Sequence, residues 1–294
     1  MIANLTPEMI TEDPLPISVN PLIDVSMLRL DKIHPLISGN KWFKLRYYLE
    51  AAQAAGKKRI ISFGGAYSNH LLATAAACRL SGLRSAGIVR GEQPQTLSPT
   101  LRDAIGLGME LFFVPRDGYR EYKLPEQFQR EEDFIIPEGG YGDAGARGAA
   151  TLLEYADPGF THCCCAVGTG TMMAGLIRAA PPSARVVGIS VMKNNRELER
   201  AIQNLLPGKQ DNWELLHDYH FGGYARHRPD LLHFMEELYR KTGIRLDFVY
   251  TAKLVFGVND LLQRGFFPVG SRILVIHSGG LQGNRSLHGD DVIL

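Results

Sequence analysis

Lys41 follows a Gly-Asn pair where an aromatic-rich segment with a helical pattern begins, in the stretch ISGNKWFKL. A lysine amine can attack a carbonyl group when it is neutral for part of the time and is not held in an ion pair. Burial favours this state because it disfavours the ammonium form and lowers the pKa of the amine. A lone lysine after a turn is more often a solvated charge. The other candidate residues therefore decide between the two interpretations.

Two glycine-rich turns join apolar runs to helical patterns. In FGGAYSNHLLATAAA, Ser68 and Asn69 are residue types that cap helices, and free amides and hydroxyls at a helix start favour a bound carboxylate. An ordinary capped helix explains that stretch equally well. In AVGTGTMMAG, the turn offers backbone amides to a phosphate, but it matches neither the dinucleotide fingerprint nor a nucleoside triphosphate loop. A single phosphate ester therefore fits better than NAD or ATP at Gly168, Thr169, Gly170 and Thr171.

The composition is that of an ordinary globular protein, with 45% hydrophobic residues, 21% charged residues and a formal net charge of +1. This balance gives no reason to expect nucleic acid or a membrane surface as a partner. The first 16 residues lack the basic start and apolar run of a signal peptide, so a cytoplasmic location is expected. The cysteines are interpreted as small buried hydrophobic residues, since neighbours on a strand point to opposite faces: Cys78, Cys163, Cys164 and Cys165.

Short apolar runs alternate with helical patterns from about residue 58 onward. Strands are predicted at RIISF, SAGIVRG, ELFFVP, DFIIP, HCCCAV, ARVVGISV and RILVIH. This alternation predicts an α/β fold with parallel sheets buried on both faces. A polar helix is predicted after ELFFVP, and residues 193–245 are predicted to be mostly helical. His277, after the last strand, is interpreted as a hydrogen-bonded core histidine rather than a site residue.

Taken in order, these motifs resemble one enzyme family. Gly39-Asn40-Lys41, Ser68-Asn69-His70, the turn at residues 168–171, and the stretches FGGYA, VYTAK and HSGG are similar to the 1-aminocyclopropane-1-carboxylate (ACC) deaminase and D-cysteine desulfhydrase family. The resemblance implies a pyridoxal 5'-phosphate enzyme with the tryptophan synthase β-subunit type of fold, which has two open, twisted, mostly parallel sheets flanked by helices. A smaller domain of residues 45–145 and a larger domain of residues 1–44 and 146–294 are predicted, with the cofactor in the cleft between them. A homodimer is also expected.

The resemblance implies the cofactor-binding residues. Lys41 is the expected Schiff-base lysine, and Asn69 is expected to reach the phenolic oxygen of the ring. The phosphate is expected to lie on the amides and hydroxyls of Gly168, Thr169, Gly170 and Thr171. Thr251 falls where the family has the partner of the pyridine nitrogen, which in ACC deaminases is a glutamate. A threonine offers only a neutral hydrogen bond and leaves the ring a weaker electron sink.

The resemblance also implies how a small amino-acid substrate is bound. Ser68, with neighbouring amides and His70, is expected to hold the substrate carboxylate, and Tyr224 and Tyr250 are expected to face the substrate. The expected catalytic residues are Lys41, Ser68 and both tyrosines. A weaker electron sink suits loss of an α-proton and a thiolate better than opening of a cyclopropane, and a histidine at position 70 favours the same branch.

The expected activity is therefore that of a lyase or deaminase that converts D-cysteine to pyruvate, hydrogen sulfide and ammonia. ACC deaminase, which gives 2-oxobutanoate and ammonia, is the alternative, and a racemase or dehydratase of small amino acids stays open. A non-catalytic ligand-binding relative is the alternative from another class. The presence of Lys41, both tyrosines and the phosphate turn favours an enzyme.

Overall fold

The computed structural model of the protein describes residues 9–18, 20–119 and 124–287. The strands are β1 Glu12–Pro14, β2 Asp24–Arg29, β3 Arg59–Gly65, β4 Arg84–Arg90, β5 Met109–Val114, β6 Asp133–Ile136, β7 His162–Val167, β8 Arg185–Ser190, β9 Trp213–Leu216 and β10 Arg272–His277. The α-helices are α1 Asn40–Ala54, α2 Asn69–Leu80, α3 Pro99–Gly106, α4 Asp143–Ala150, α5 Thr171–Ala179, α6 Leu198–Gln203, α7 Pro229–Thr242 and α8 Thr251–Gln263. Within the described ranges no helix is long and apolar enough to cross a membrane.

The strands form two sheets. The larger sheet has the order β1-β2-β10-β7-β8-β9, and the smaller sheet has the order β5-β4-β3-β6. Neighbouring strands are parallel throughout, except that the short β1 pairs with β2 in the antiparallel direction. The predicted fold class, α/β with two mostly parallel sheets flanked by helices, is confirmed. Parallel pairing brings the carboxyl ends of the strands, and the loops that follow them, to one edge of each sheet.

A continuous hydrophobic cluster joins the two sheets through α1. It includes Ile60 and Ile136 of the smaller sheet, Cys163 and Leu274 of the larger sheet, and Phe43 of α1 between them. Burial of a side chain of this size stabilises the fold by about 1.5–3 kcal/mol. Because α1 also carries Lys41, the packing that joins the sheets fixes the position of this lysine.

The cysteines of β7 pack on opposite faces of the larger sheet. Cys163 and Cys165 belong to the cluster that joins the two sheets, whereas Cys164 packs with α7 and α8 on the other face. All four cysteines, including Cys78 of α2, are buried and unpaired. The interpretation of the cysteines as small buried hydrophobic residues is confirmed.

One secondary-structure prediction is wrong and another is tested only in part. The polar helix predicted between β5 and β6 falls partly on residues 120–123, which lie outside the described part. The described residues there hold the 3-10 helix Glu126–Phe128 and a further 3-10 position at Tyr119. Residues 193–245 are not mostly helical, because β9 pairs with β8 at the sheet edge and a loop connects β9 to α7. The expectation about a signal peptide rests partly on residues 1–8, which also lie outside the described ranges. The division into two domains stays a prediction, and its first boundary, residue 45, falls inside α1.

Candidate active site

A cavity of about 370 Å³ lies between the two sheets, at the start of α1, α2 and α5. Most of the residues that the sequence singled out line it: Lys41, Ser68, Asn69, His70, Gly168, Thr169, Gly170, Tyr224 and Tyr250. Thr171 and Thr251 are fully buried beside it and are not among the lining residues. Residues as far apart in the chain as Lys41 and Tyr250 thus meet in one space.

Lys41 lies in the first turn of α1, where the backbone approaches the end of β10. The Asn40 amide donates to the Ser278 carbonyl at 3.2 Å, and Gly39 adopts a φ of 66°. A Cβ on Gly39 would come within 1.9 Å of the Ser278 carbonyl oxygen. Glycine is required here for two reasons, because the backbone angle is left-handed and because the neighbouring backbone leaves no room. This close approach directs Lys41 into the cavity.

The amine of Lys41 is partly neutral near physiological pH. Its Nζ atom donates to Asn40 Oδ1 at 2.7 Å and forms no ion pair with the residues that the structure describes. Burial lowers the pKa of this amine to about 8, and the more distant negative charge of Asp247 opposes the shift. An unpaired, partly deprotonated lysine in a cavity is suited to nucleophilic chemistry on a carbonyl group.

The pH dependence of Lys41 labelling is expected to report this pKa. In the cofactor-free protein, the labelling rate of Lys41 by an amine-reactive reagent should rise about tenfold per pH unit below pH 8 and level off above it. Peptide mass spectrometry would measure this rate, with the exposed Lys209 as the internal reference. A Lys41 profile identical to that of Lys209 would contradict the expectation.

The start of α2 presents polar groups to the same cavity. Ser68 Oγ accepts the Leu71 amide at 3.2 Å, which confirms the predicted helix cap. Asn69 Nδ2 reaches the Gly280 carbonyl only at 3.4 Å, and its buried Oδ1 atom has no partner among the described residues. The first amides of a helix also lack partners within the helix. This end of α2 can therefore bind a group that offers both acceptors and a donor.

His70 is neutral, and its tautomer follows from its contacts. Ser62 donates its hydroxyl proton to the Ile136 carbonyl at 2.8 Å, so the contact of 2.9 Å to His70 Nε2 requires the proton on Nε2. Burial, followed by the charges of Lys44 and Lys41, holds the pKa of His70 well below its usual value. The remaining nitrogen, Nδ1, is a buried acceptor, and no described residue donates to it. This tautomer does not favour contact with a carboxylate, and the role of His70 in substrate binding stays a prediction.

The phosphate turn precedes α5. Gly170 is the N-cap with a φ of 84°, and a side chain there would lie 2.7 Å from Ile202. Thr169 Oγ1 and Thr171 Oγ1 are hydrogen-bonded to each other at 3.0 Å. The N-terminus of α5 thus presents free amides and the positive end of the helix dipole, a suitable environment for an anion.

Lys44 is a second lysine of this cavity, which the sequence analysis missed. It lines the cavity and is 4% exposed. Burial, followed by the charge of Lys41, holds the pKa of its amine well below the usual value. The available signal was its spacing, because residues three positions apart lie on the same face of a helix. A bound phosphate would neutralise this otherwise unfavourable pair of lysines.

Tyr224 and Tyr250 pack edge to face, with ring centroids 5.9 Å apart. Lys41 Nζ lies 5.8 Å from the Tyr250 ring centroid. Desolvation raises the pKa of both hydroxyls, and for Tyr250 the neighbouring Tyr224 adds to the shift. Both hydroxyls are therefore protonated near neutral pH and available as proton donors.

Comparison with known proteins identifies the family. A family model described as pyridoxal-phosphate dependent enzyme matches residues 20–279. The chain belongs to this family. It is a pyridoxal-phosphate dependent enzyme related to ACC deaminases and D-cysteine desulfhydrases, as the sequence resemblance implied.

Individual relatives agree with this assignment. A Thermotoga maritima protein provisionally named an ACC deaminase is 31% identical, over 84% of this chain and 85% of its own. An Arabidopsis thaliana mitochondrial protein named a bifunctional D-cysteine desulfhydrase/ACC deaminase is 28% identical, over 84% of this chain and 70% of its own. The crystal structure of an ACC deaminase homologue has a TM-score of 0.81 and 29% identity, and the match covers 96% of this chain and 92% of that one.

The cavity fits pyridoxal phosphate. Lys41 is an unpaired amine, the turn before α5 with Lys44 suits a phosphate, and Asn69 has an unpartnered Oδ1 atom. Thr251, the expected neighbour of the pyridine nitrogen, is instead bonded to Asp247: its hydroxyl donates to Oδ1 at 2.7 Å and accepts the Asp247 amide at 2.8 Å. The proton of this hydroxyl is thus committed to Asp247, and the role of Thr251 beside the ring stays a prediction.

Asp247 and His277 are structural neighbours of the site. Both oxygens of the buried Asp247 carboxylate accept amides at the start of α8, those of Val249, Tyr250 and Thr251. His277 donates from Nε2 to the Arg245 carbonyl at 2.7 Å and accepts the Gly279 amide on Nδ1. The interpretation of His277 as a hydrogen-bonded core histidine is confirmed.

Lys253 holds the loop that carries Tyr224, a function that the sequence analysis missed. Its side chain is fully buried, and its amine donates to the carbonyls of His220 at 2.9 Å and Gly223 at 2.7 Å. This loop contains two non-glycine residues with left-handed angles, Phe221 and Ala225, which is an unfavourable conformation. The two hydrogen bonds offset this strain.

Replacement of Lys253 by methionine is expected to destabilise the protein by about 2–4 kcal/mol, because two loop carbonyls lose their charged donor. Chemical denaturation would measure the change in the free energy of unfolding. Lys241→Met is the matched control, since the exposed Lys241 donates to a single carbonyl, that of Pro16. Equal effects of the two substitutions would refute a supporting role for Lys253.

Proposed function

We propose that this enzyme converts D-cysteine and water to pyruvate, hydrogen sulfide and ammonia. The observation that carries the proposal is the Lys41 amine, with its pKa lowered to about 8, in a cavity shared with the Tyr224–Tyr250 pair. Together these groups offer a base and proton donors within one site. The printed name of the Arabidopsis thaliana relative, which includes D-cysteine desulfhydrase, supports the choice of substrate.

The residues of this chain would position cofactor and substrate. When bound, pyridoxal phosphate supplies the electron sink that stabilises negative charge at Cα. The amides of residues 168–170, the start of α5 and the Lys44 amine, whose protonated form a bound phosphate would favour, would bind the phosphate, while Asn69 would orient the ring. Ser68 and the free amides at the start of α2 would bind the substrate carboxylate. Gly39 keeps the start of α1 against β10 and so keeps Lys41 at the reacting carbon.

Proton transfers would be divided between Lys41 and the tyrosines. The neutral Lys41 amine would accept the Cα proton, since a base with a pKa near the working pH is effective. As the bond between Cβ and sulfur breaks, its electron pair would stay on sulfur. The protonated hydroxyl of Tyr224 or Tyr250 would then donate a proton to the departing thiolate. Water completes the reaction by releasing ammonia and pyruvate.

ACC deaminase activity is the second candidate, supported by the printed names of the Thermotoga maritima and Arabidopsis thaliana relatives. The test is the release of 2-oxo acid by the cofactor-loaded protein from D-cysteine, L-cysteine and ACC, assayed side by side. Turnover of D-cysteine at least tenfold above the other two would support the proposal. Formation of 2-oxobutanoate from ACC would favour the second candidate, and no turnover of any of the three would refute both.

A further inference from the structure

A second cavity, of about 480 Å³, opens beside the active-site cavity. Both cavities are lined by Gly65, Ser68, Arg90 and Tyr224. The shared residues include the predicted substrate contacts Ser68 and Tyr224. The second cavity is therefore an extension of the substrate site, with room for a larger amino acid than cysteine.

Two arginines give this extension a positive charge. Arg90 ends β4, and Arg116 follows the end of β5, the neighbouring parallel strand, where Arg90 is paired with Val114. Both line the second cavity, and Arg90 also lines the active-site cavity. Within the described ranges neither guanidinium has a carboxylate oxygen within the 4.0 Å of an ion pair. Their hydrogen-bond donors are thus available to a ligand.

The Arg90 side chain is exposed, and its guanidinium packs against Tyr119. Its guanidinium lies over the Tyr119 ring, 5.7 Å from the centroid, and Nη2 lies 3.8 Å from the place that a Cβ on Gly65 would occupy. Stacking of this kind leaves the N–H edge of the guanidinium free for a carboxylate. Gly65 begins the turn into α2, where the substrate carboxylate is proposed to bind. Two positively charged side chains therefore lie beyond the place proposed for that carboxylate, first Arg90 and then Arg116.

Glu138 places a negative charge in the active-site cavity, close to the Tyr119 hydroxyl. This glutamate lines the active-site cavity but not the second cavity. After burial, its charge contributes to the raised pKa of the Tyr119 hydroxyl. A second anionic group on a substrate would thus be less favourable in the active-site cavity, which Glu138 lines, than in the second cavity, which both arginines line.

We propose that Arg90 and Arg116 form a carboxylate subsite, so that the preferred substrates are thioethers of D-cysteine whose sulfur substituent carries a carboxylate. This inference rests on the proposed elimination reaction. The bond between Cβ and sulfur would break with its electron pair on sulfur, which takes up one proton. With one water consumed, the products are pyruvate, ammonia and a mercaptocarboxylate.

The test compares two substrates that differ in charge and not in size, S-carboxymethyl-D-cysteine and its neutral amide S-carbamoylmethyl-D-cysteine. Pyruvate release by the cofactor-loaded enzyme is expected to give a kcat/KM at least about tenfold higher for the acid, since a hydrogen bond to a charged group is strong. Arg90→Gln should reduce the ratio of kcat/KM for the acid to kcat/KM for the amide to about one, and Arg116→Gln should lower this ratio. Arg84→Gln, at the other end of β4, is the matched control and should preserve the ratio.

Equal kcat/KM for the acid and the amide, or loss of the preference in Arg84→Gln, would overturn the subsite. Turnover of D-cysteine without turnover of either thioether would overturn it too, while leaving the proposed function intact. If D-cysteine is not turned over either, the proposed function is wrong, and the subsite is tested by measuring binding. The visible absorbance of the cofactor-loaded enzyme would then be titrated with D-glutamate and D-glutamine, and absence of an Arg90-dependent preference for the acid would overturn the subsite.

Discussion

The Lys41→Ala variant is expected to fold normally and to lose turnover by roughly 10³-fold or more, because the substitution removes both the nucleophilic amine and the proposed base. Its free energy of unfolding in the absence of cofactor should not decrease, since burial of this amine is unfavourable to its charged form. Steady-state release of 2-oxo acid measures the first effect, and chemical denaturation measures the second.

Covalent attachment of the cofactor gives an independent measurement for the same variant. When the wild-type protein is incubated with pyridoxal phosphate and treated with borohydride, the reduced cofactor should remain as a label on the Lys41 peptide. Lys41→Ala should retain none, whereas Lys209→Ala, which changes an exposed lysine, should match the wild type. A label on Lys44 in place of Lys41 would show that the wrong lysine has been assigned.

Gly39→Ala is expected to cost about 3–5 kcal/mol of stability or to prevent cofactor binding, because the added methyl group meets backbone rather than a movable side chain. The methyl carbon would come within 1.9 Å of the Ser278 carbonyl oxygen. To relieve this contact the start of α1 must move away from β10, and Lys41 would move with it. The free energy of unfolding and the affinity for pyridoxal phosphate are the two measurements.

Gly56→Ala is the matched control for this substitution. Gly56 follows the other end of α1 with the same φ of 66°, and a Cβ there would have no atom within 4 Å. Its replacement should therefore lower the free energy of unfolding by about 1 kcal/mol, the cost of the left-handed backbone alone. If both substitutions cost the same, the contact with Ser278 is not the reason for glycine at position 39.

Seven strands, β3 to β8 and β10, and the turns after them could be predicted from local sequence patterns. Runs such as RIISF and RILVIH are apolar because both faces of β3 and β10 are buried. The predicted cap at Ser68 is equally local, since a hydroxyl at that position needs only the amide three residues later. Three strands of the larger sheet, β1, β2 and β9, were missed. For β9 the reason is that each of its residues is only half-buried and its pattern is weak.

The site residues came from two sources. Polar residues after the strands marked the loops, but the roles of Lys41, Tyr224 and Tyr250 came from resemblance to a family and not from residue spacing. A lysine or a tyrosine has the same local pattern on the surface and in a cavity. Only burial and partners distinguish the two, and a single sequence shows neither.

The sequence by itself determined the class of fold, the turns that carry the site and the kind of cofactor. The tertiary structure decided which side chains meet: Lys253 with the Tyr224 loop, Thr251 with Asp247, and Arg90 beside Arg116. The physical reason is the range of each interaction. Strand, turn and cap formation depends on neighbours within a few positions, whereas the partners of a buried charge are brought together by the packing of distant segments.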